Sequence, residues 1–82
     1  MALTVKLFGP LRRALDRSEV RVIVEQQPAT CAALRQRLAE SESRLAPLLS
    51  GCRFAVNCQF APEGQTLSAA DEIALVGFVA GG

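Results

Sequence analysis

One long amphipathic helix between strand-like segments is the feature that most constrains how this 82-residue chain can fold. Pro28 and Thr30 precede the helix, and Thr30 has the residue type and position of an N-cap. The apolar residues that follow recur at spacings of three, four and seven and make one stripe: Cys31, Leu34, Leu38 and Leu45. The residues expected on the solvated side are Arg35, Arg37, Glu40 and Glu42. A helix with one apolar stripe buries it against one face of a sheet.

Alternating apolar and polar residues predict the strands on both sides of the helix. The inward residues of the first two strands are Leu3, Val5, Leu7, Val20, Val22 and Val24. The segment between them, "GPLRRALDR", predicts a short helix, and "RLAPLLSG" predicts another helical turn after the long helix. "RFAVNC" predicts a third strand with Phe54, Val56 and Cys58 in phase. "QTL" predicts a very short fourth strand, and "EIALVGF" predicts the last one, with Ile73 and Leu75 in phase.

This order of elements predicts an α+β fold with a mixed sheet of four or five strands and one main helix packed on one face. The helical crossover between the second and third strands leaves the first and last strands adjacent at the centre. That arrangement is the β-grasp, or ubiquitin-like, fold. A chain of this length forms one domain. We therefore expect a single β-grasp domain over residues 1–78 and an extended tail over residues 79–82, which ends in two glycines.

Composition argues against several kinds of function. The 9 basic and 8 acidic residues nearly cancel, and four scattered Phe with no Trp or Tyr make no base-stacking platform, so we expect no nucleic-acid partner. Without histidine or paired cysteine spacing we expect no metal site, and Cys31, Cys52 and Cys58 are interpreted as thiols in a reducing cytoplasm. No signal peptide or membrane span is recognisable. The missing histidine also removes the usual general base, so we do not expect catalysis by this chain alone.

Four stretches of the sequence resemble the small subunit of molybdopterin synthase, a ubiquitin-like sulfur carrier. They are "VKLFGPLRRAL", the pair Val56-Asn57, "LSAADEIAL" and the terminal "VAGG", and together they span nearly the whole chain. The sequence departs from the family where Gly77-Phe78 stands in place of two frequent prolines, and where Ala80 replaces a hydroxyl residue. Proline would stiffen the start of the tail, whereas glycine does the reverse.

The resemblance implies that the chain carries sulfur on its C-terminal carboxyl group. Gly82 is expected to be adenylated by a ubiquitin-activating-like adenylyltransferase that uses ATP, and then converted to a thiocarboxylate. The thiocarboxylate is expected to donate its sulfur to a pterin precursor in the large subunit of a heterotetrameric molybdopterin synthase. No cofactor is expected on the chain itself. Gly81 keeps the tail slim, and four extended residues reach about 13–14 Å.

Apolar residues that break the alternation predict a surface for partners beside the tail. Phe8 and Val76 have outward parity on strands expected to be neighbours, and Phe78 follows in the phase of Val76. The alternative is that Phe8 tucks under a loop or that a bulge turns Phe78 inward. Arg12 and Arg13 are candidate contacts to an acidic groove of a partner, with a solvated face as the alternative. The complete predicted partner-binding set is Phe8, Phe60, Val76, Phe78, Val79 and Ala80.

Two other functions stay open at this point. The same sulfur chemistry would serve thiazole (thiamin) or amino-acid biosynthesis, and an activated Gly82 would also suit a ubiquitin-like modifier that is joined to lysines. The sequence does not separate these functions, because the acceptor belongs to another protein. Asp71 and Glu72 are not expected to form a paired-carboxylate site, because adjacent residues of a strand point to opposite faces and Asp71 suits a turn.

Overall fold

The computed structural model describes residues 1–77, and Phe78, Val79, Ala80, Gly81 and Gly82 lie outside the described residues. Its elements are β1 (Ala2–Leu7), α1 (Pro10–Leu15), β2 (Glu19–Ile23), α2 (Cys31–Ser41), a 3₁₀ helix (Ala46–Gly51), β3 (Cys52–Val56), β4 (Gln59–Phe60) and β5 (Ile73–Gly77). The strands form one sheet in the order β2-β1-β5-β3-β4. β1 and β5 run parallel, and the other neighbouring strands run antiparallel. The first and last strands are therefore central neighbours, as the sequence predicts.

The long helix α2 begins where the sequence predicts. Thr30 is its N-cap, and the Thr30 hydroxyl accepts a hydrogen bond of 3.2 Å from the backbone N–H of Ala33. The predicted stripe is fully buried, but α2 ends at Ser41 within the acidic run. Leu45 therefore enters the core from the segment that follows the helix. The burial predicted for all four residues is confirmed, but the predicted helix is one turn longer than α2.

The core lies between α2 and one face of the sheet. Leu11 of α1 and Leu49 of the 3₁₀ helix are also buried in this core, near the end of β5 and the start of β3. Both short helical segments predicted from the sequence are confirmed. No polar or charged residue among residues 1–77 is buried. The buried strand residues are Leu3, Val5, Leu7, Val20, Val22, Cys52, Phe54, Val56, Ile73 and Leu75.

The third and fourth strands differ from the prediction. Asn57 and Cys58 are the two central residues of a tight hairpin turn, with φ of 52° and 69°, and Val56 pairs directly with Gln59. Positive φ at both central residues is the geometry of a two-residue hairpin loop. The expectation that Cys58 continues β3 inward is therefore wrong, and its thiol is exposed. Phe60, expected just past the third strand, lies in β4.

The predicted fourth strand "QTL" is also wrong, because this segment does not join the sheet. Thr66 makes an isolated bridge with Thr30, and the Leu67 N–H donates to the Ala29 carbonyl at 2.7 Å. Leu67 is buried, so the segment is held against the start of α2.

The burial of Arg35 also differs from the prediction. The prediction placed it on the solvated side of α2, yet its side chain is only 22% exposed because it reaches across the end of the 3₁₀ helix to the start of β3. Arg37 and Glu40 are exposed, as predicted, whereas Glu42, which follows the end of α2, is half-buried.

Candidate functional site

The face of the sheet opposite α2 is the candidate interaction surface. Burial alternates strictly along β1 and β2, so every second side chain of these strands points away from the core. In β3 and β5 the outward positions are taken by Arg53, Ala55, Ala74 and Val76, and the last three are half-buried. We call this side of the sheet the open face.

Strand register brings apolar residues of the open face together. Ala55 lies between Ala74 on one side and Phe60 on the other. Phe8 directly follows Leu7, the partner of Leu75, so it comes level with Val76 on the neighbouring strand. These five residues, Phe8, Ala55, Phe60, Ala74 and Val76, are the open-face patch. An apolar cluster of this kind on a surface is typical of a protein-binding site.

The patch contains three of the predicted partner-binding residues. Phe8 and Phe60 are 50% and 53% exposed, so Phe8 is not tucked under a loop. Ala55 and Ala74 were missed, although their strand parity would have identified them. Phe78, Val79 and Ala80 lie outside the described residues, and the binding role of the whole set stays a prediction.

Arg53 forms a basic margin to the patch that sequence reasoning missed. Its guanidinium carbon lies 4.6 Å from the centroid of the Phe60 ring, which is within cation–π distance. Arg53 also pairs with Val76 across the sheet. A partner that covers the patch would therefore meet a cation beside the exposed ring.

The end of β5 is the place from which the tail continues. Gly77 pairs with Cys52, and Val76 pairs with Arg53; we call these two pairs the tail root. A methyl group at Gly77 would meet Leu11 and the Cys52 sulfur at 3.9 Å, which is ordinary contact distance. Neither space nor a left-handed backbone requires glycine here. Gly77 is thus a paired strand residue. Strand pairing restricts its backbone, although glycine by itself would loosen the start of the tail.

Arg12 and Arg13 lie on α1, close to the tail root. Both are exposed, and within residues 1–77 neither forms an ion pair with a carboxylate. Leu11 on the same helix is buried beside Gly77, which brings α1 close to the end of β5. The two arginines are therefore positioned to meet a partner that approaches the tail, and their contact with one stays a prediction.

The opposite end of β5 is polar and tightly hydrogen-bonded. The Asp71 carboxylate accepts from the Ser68 N–H at 2.8 Å and from the Asn57 side chain at 3.0 Å, and these bonds lower its pKa. The Glu72 carboxylate instead pairs with Lys6 at 2.7 Å; the bond lowers the pKa of Glu72 and raises that of Lys6. The two carboxylates thus have separate structural partners and make no acid–base pair, as predicted.

The cysteines provide no recognisable site. Cys31 and Cys52 are buried, and burial raises the pKa of both thiols, so both are protonated and unreactive at neutral pH. Among residues 1–77 there is no cluster of three side chains of the kinds that hold a metal ion. None of the helices described is long and apolar enough to cross a bilayer.

The chain is similar to one protein family in sequence and to several solved structures in fold. The sequence model of the ThiS family matches residues 5–82, while no curated protein matches the chain. The structure superposes on SAMP1 of Haloferax volcanii with a TM-score of 0.81 and 26% identity, covering all of both chains. It superposes on a chain in the complex of subunits 1 and 2 of molybdopterin-converting factor from Helicobacter pylori with a TM-score of 0.68 and 26% identity, again covering all of both chains.

A third similar structure is a putative molybdopterin converting factor subunit 1 from Pyrococcus furiosus. It has a TM-score of 0.79 and 15% identity, covering 96% of this chain and 99% of that one, and shows the fold alone. The mixed five-stranded sheet with α2 on one face is the ubiquitin-like β-grasp predicted from the sequence.

Proposed function

Since the chain belongs to the ThiS family, we propose that it is a sulfur carrier that supplies sulfur from its C-terminal carboxyl group for molybdenum cofactor biosynthesis. One observation supports this choice of pathway most. It is the full-length likeness, at 26% identity, to a chain in the complex of molybdopterin-converting factor subunits 1 and 2. The ubiquitin-like fold is common to sulfur carriers and modifiers, so the pathway rests on that likeness and on the sequence motifs.

Loading begins at the carboxylate of Gly82. A carboxylate with an ordinary pKa near 3.3–3.7 is ionised at neutral pH and is a poor electrophile. Adenylation by a ubiquitin-activating-like partner transfers AMP from ATP to a carboxylate oxygen and releases pyrophosphate. The terminal sulfur of a persulfide then attacks the carbonyl carbon and AMP leaves. A thiol cleaves the sulfur–sulfur bond by forming a disulfide, which leaves the thiocarboxylate on Gly82.

Transfer takes place in the large subunit of molybdopterin synthase. The thiocarboxylate sulfur attacks a carbon of the bound pterin precursor, the carbon–oxygen bond at that carbon breaks and the oxygen leaves with the electron pair, and the sulfur then joins that carbon to Gly82 as a thioester. Water then hydrolyses the carbonyl–sulfur bond, so the sulfur stays on the pterin and the carboxylate is regenerated. None of these steps requires a general base from this chain, which agrees with its lack of histidine.

The folded domain binds the partners, and the tail brings the reacting group to them. The open-face patch provides apolar contact area, with Arg53 at its margin, and Arg12 and Arg13 add cations close to the tail root. Large apolar groups and arginines dominate the binding energy of many interfaces. Beyond Gly77 five residues remain, and the last two have no side chain, so they pass a narrow channel more easily than other residues.

Intact-mass spectrometry tests the proposal. The chain is incubated with ATP, the activating enzyme and a sulfur donor, and we expect the mass gain of one sulfur-for-oxygen replacement. Loaded protein is then mixed with the large subunit and the pterin precursor, and we expect the mass to return to its starting value as sulfur appears in the pterin. The matched control lacks Gly82, and loading of that variant at the normal rate would contradict the assignment.

A modifier function is the second candidate, favoured by the TM-score of 0.81 and 26% identity to SAMP1, which is small archaeal modifier protein 1 of Haloferax volcanii. The same mass experiment separates the two functions when a mixture of lysine-containing proteins is added. Conjugates joined through Gly82 would support a modifier, whereas a thiocarboxylate that only the large subunit discharges would support the molybdopterin pathway. A thiocarboxylate discharged only by a thiazole-forming or amino-acid-forming enzyme would move the chain to one of those pathways.

A further inference from the structure

Arg35 connects α2 to three other segments through its guanidinium group. Nε and Nη2 donate to the two carboxylate oxygens of Glu63 at 2.8 and 3.0 Å. Nη1 donates to the carbonyl of Leu49 at the end of the 3₁₀ helix, and Nη2 donates to the carbonyl of Cys52 at 2.9 Å. The guanidinium carbon also lies 5.2 Å from the ring centroid of Phe54. A bidentate carboxylate holds a guanidinium in a fixed orientation.

The bond to Cys52 replaces a missing strand partner. β4 has two residues and pairs only with Ala55 and Val56, while the Phe54 carbonyl accepts from the Ala61 N–H at 2.9 Å. The Cys52 carbonyl comes next on that side of β3, beyond the reach of β4, and Cys52 is buried. A buried carbonyl without a donor is costly. Arg35 supplies the donor that a longer β4 would have supplied.

The other side of the same segment holds the tail root. The Asn57 N–H donates to the Glu72 carbonyl at 2.8 Å, which identifies that pair as hydrogen-bonded. Because hydrogen-bonded pairs alternate along an antiparallel ladder, Arg53 and Val76 form another such pair, and Cys52 with Gly77 does not. Gly77 thus depends on the placement of β3 rather than on a bond to Cys52. Whatever fixes the start of β3 also fixes the end of β5.

We propose that Arg35, oriented by Glu63, is a positioning residue that holds the tail root and so sets the point at which the sulfur-carrying tail leaves the domain. The part that concerns sulfur rests on the function proposed above. Without Arg35 the first residues of β3 separate from β5, and Val76 and Gly77 lose their partners on β3. Two extended residues span about 7 Å, so the point from which the tail starts is no longer fixed relative to the docked face.

Amide hydrogen exchange measured by NMR tests this without any partner. In Arg35→Gln we expect the N–H groups of Arg53 and Val76 to exchange about tenfold to a hundredfold faster, the factor expected for loss of a charged hydrogen bond. The N–H groups of Val20 and Val22 in the distant β1–β2 ladder should keep their rates. Arg37→Gln is the matched control: Arg37 is on the same helix and donates to the Ile23 carbonyl at 3.1 Å, away from the tail root. It should leave Arg53 and Val76 unchanged.

Loading kinetics with the activating enzyme provide the second readout. We expect Arg35→Gln to lower kcat about tenfold while KM changes less than twofold, because docking is intact and delivery of the carboxylate is not. Arg35→Lys should recover part of the loss by restoring one donor. Glu63→Gln, which keeps the arginine, should show the same selective exchange to a smaller degree and serves if Arg35→Gln does not fold.

Three results would overturn the proposal. These are an unchanged exchange rate at Arg53 and Val76, an equal acceleration at all amides, and selective exchange with unchanged kcat. If the unmodified chain itself never acquires sulfur, the proposed function fails, and the exchange data still decide whether Arg35 holds the tail root.

Discussion

Phe54 and Phe60 lie on the two strands of one hairpin and face opposite sides of the sheet. Phe54 is completely buried among core residues, whereas Phe60 is about half exposed on the open face. Each ring lies near a guanidinium group, that of Arg35 in one case and that of Arg53 in the other. One residue type thus has two physical roles here. On the closed face, which is the side of the sheet that α2 covers, burial of the ring stabilises the domain. On the open face, exposure of the ring leaves area for a partner.

The largest expected effect is the difference in the free energy of unfolding between alanine substitutions at these two positions. We expect Phe54→Ala to lower the free energy of unfolding by about 3–5 kcal/mol, because it removes buried area and leaves a cavity. Phe60→Ala should change it by about 0.5 kcal/mol or less, as is usual for surface positions. Urea denaturation followed by circular dichroism measures both. If Phe54→Ala does not fold, Phe54→Leu gives the smaller loss. Equal losses at the two positions would refute the distinction between the faces.

Charges placed on the open face should affect binding more than stability. We expect Phe8→Asp and Val76→Asp to weaken binding to the large subunit of molybdopterin synthase about tenfold to a hundredfold, since interface centres depend on desolvated apolar contacts. Ile23→Asp is the matched control. Ile23 is also exposed on the open face, but it pairs with Ala2 at the end far from the patch. Titration calorimetry measures affinity, and unchanged affinity in both patch variants would show that the patch is not the docking surface.

The closed face could be predicted from the sequence because burial produces periodicity. Alternation identified the inward residues of β1, β2 and β5, and the helical stripe identified those of α2. The hairpin after β3 could not be recognised, because Cys58 is an unusual residue at positive φ and conceals a tight turn. When that turn is not recognised, Phe60 falls outside the predicted strands, and "QTL" is the next segment with a strand-like pattern.

The open face was only partly predictable. Phe8 and Val76 were recognisable because each is an apolar residue in an outward phase. Arg53 on this face was not recognisable, and neither was Arg35 on α2, since a charged residue at a position expected to be exposed is interpreted as ordinary solvated surface. Their positions depend on contacts between segments far apart in the chain, such as Arg35 with Glu63, and a single sequence carries no periodic signal for these.

Two ion pairs extend the comparison of the faces to charged groups. The first joins Glu63 to the mostly buried Arg35, which lowers the pKa of Glu63 below its ordinary value of 4.5. A carboxylate with a depressed pKa in the folded state contributes stability above its ordinary value, and that contribution is lost as the pH falls through the lowered value. We expect Glu63→Gln to lower the free energy of unfolding by about 1 kcal/mol at neutral pH, after allowance for the exposure of Glu63.

The pH dependence identifies the source of this cost. The difference between the unmodified chain and Glu63→Gln should shrink as the pH falls below 4.5, because the carboxylate becomes protonated in both folded and unfolded chains. Thermal unfolding between neutral pH and pH 3 measures this. A difference that stays constant across the range would show that Glu63 acts through packing rather than through its charge.

The second ion pair, between Lys6 and Glu72 on the open face, should contribute least. Its contact is as short as that of the first pair, at 2.7 Å, but both side chains are about half exposed. Water solvates such groups nearly as well when they are apart, so exposed pairs add little to stability. We expect Glu72→Gln to leave the melting temperature unchanged within error at low and at high salt, as measured by calorimetry. The Glu72 N–H still donates to the Asn57 side chain, so the turn before β5 stays in place. A clear loss of melting temperature that salt reduces would show that the open face also stabilises the domain, and the two faces would then differ in degree rather than in kind.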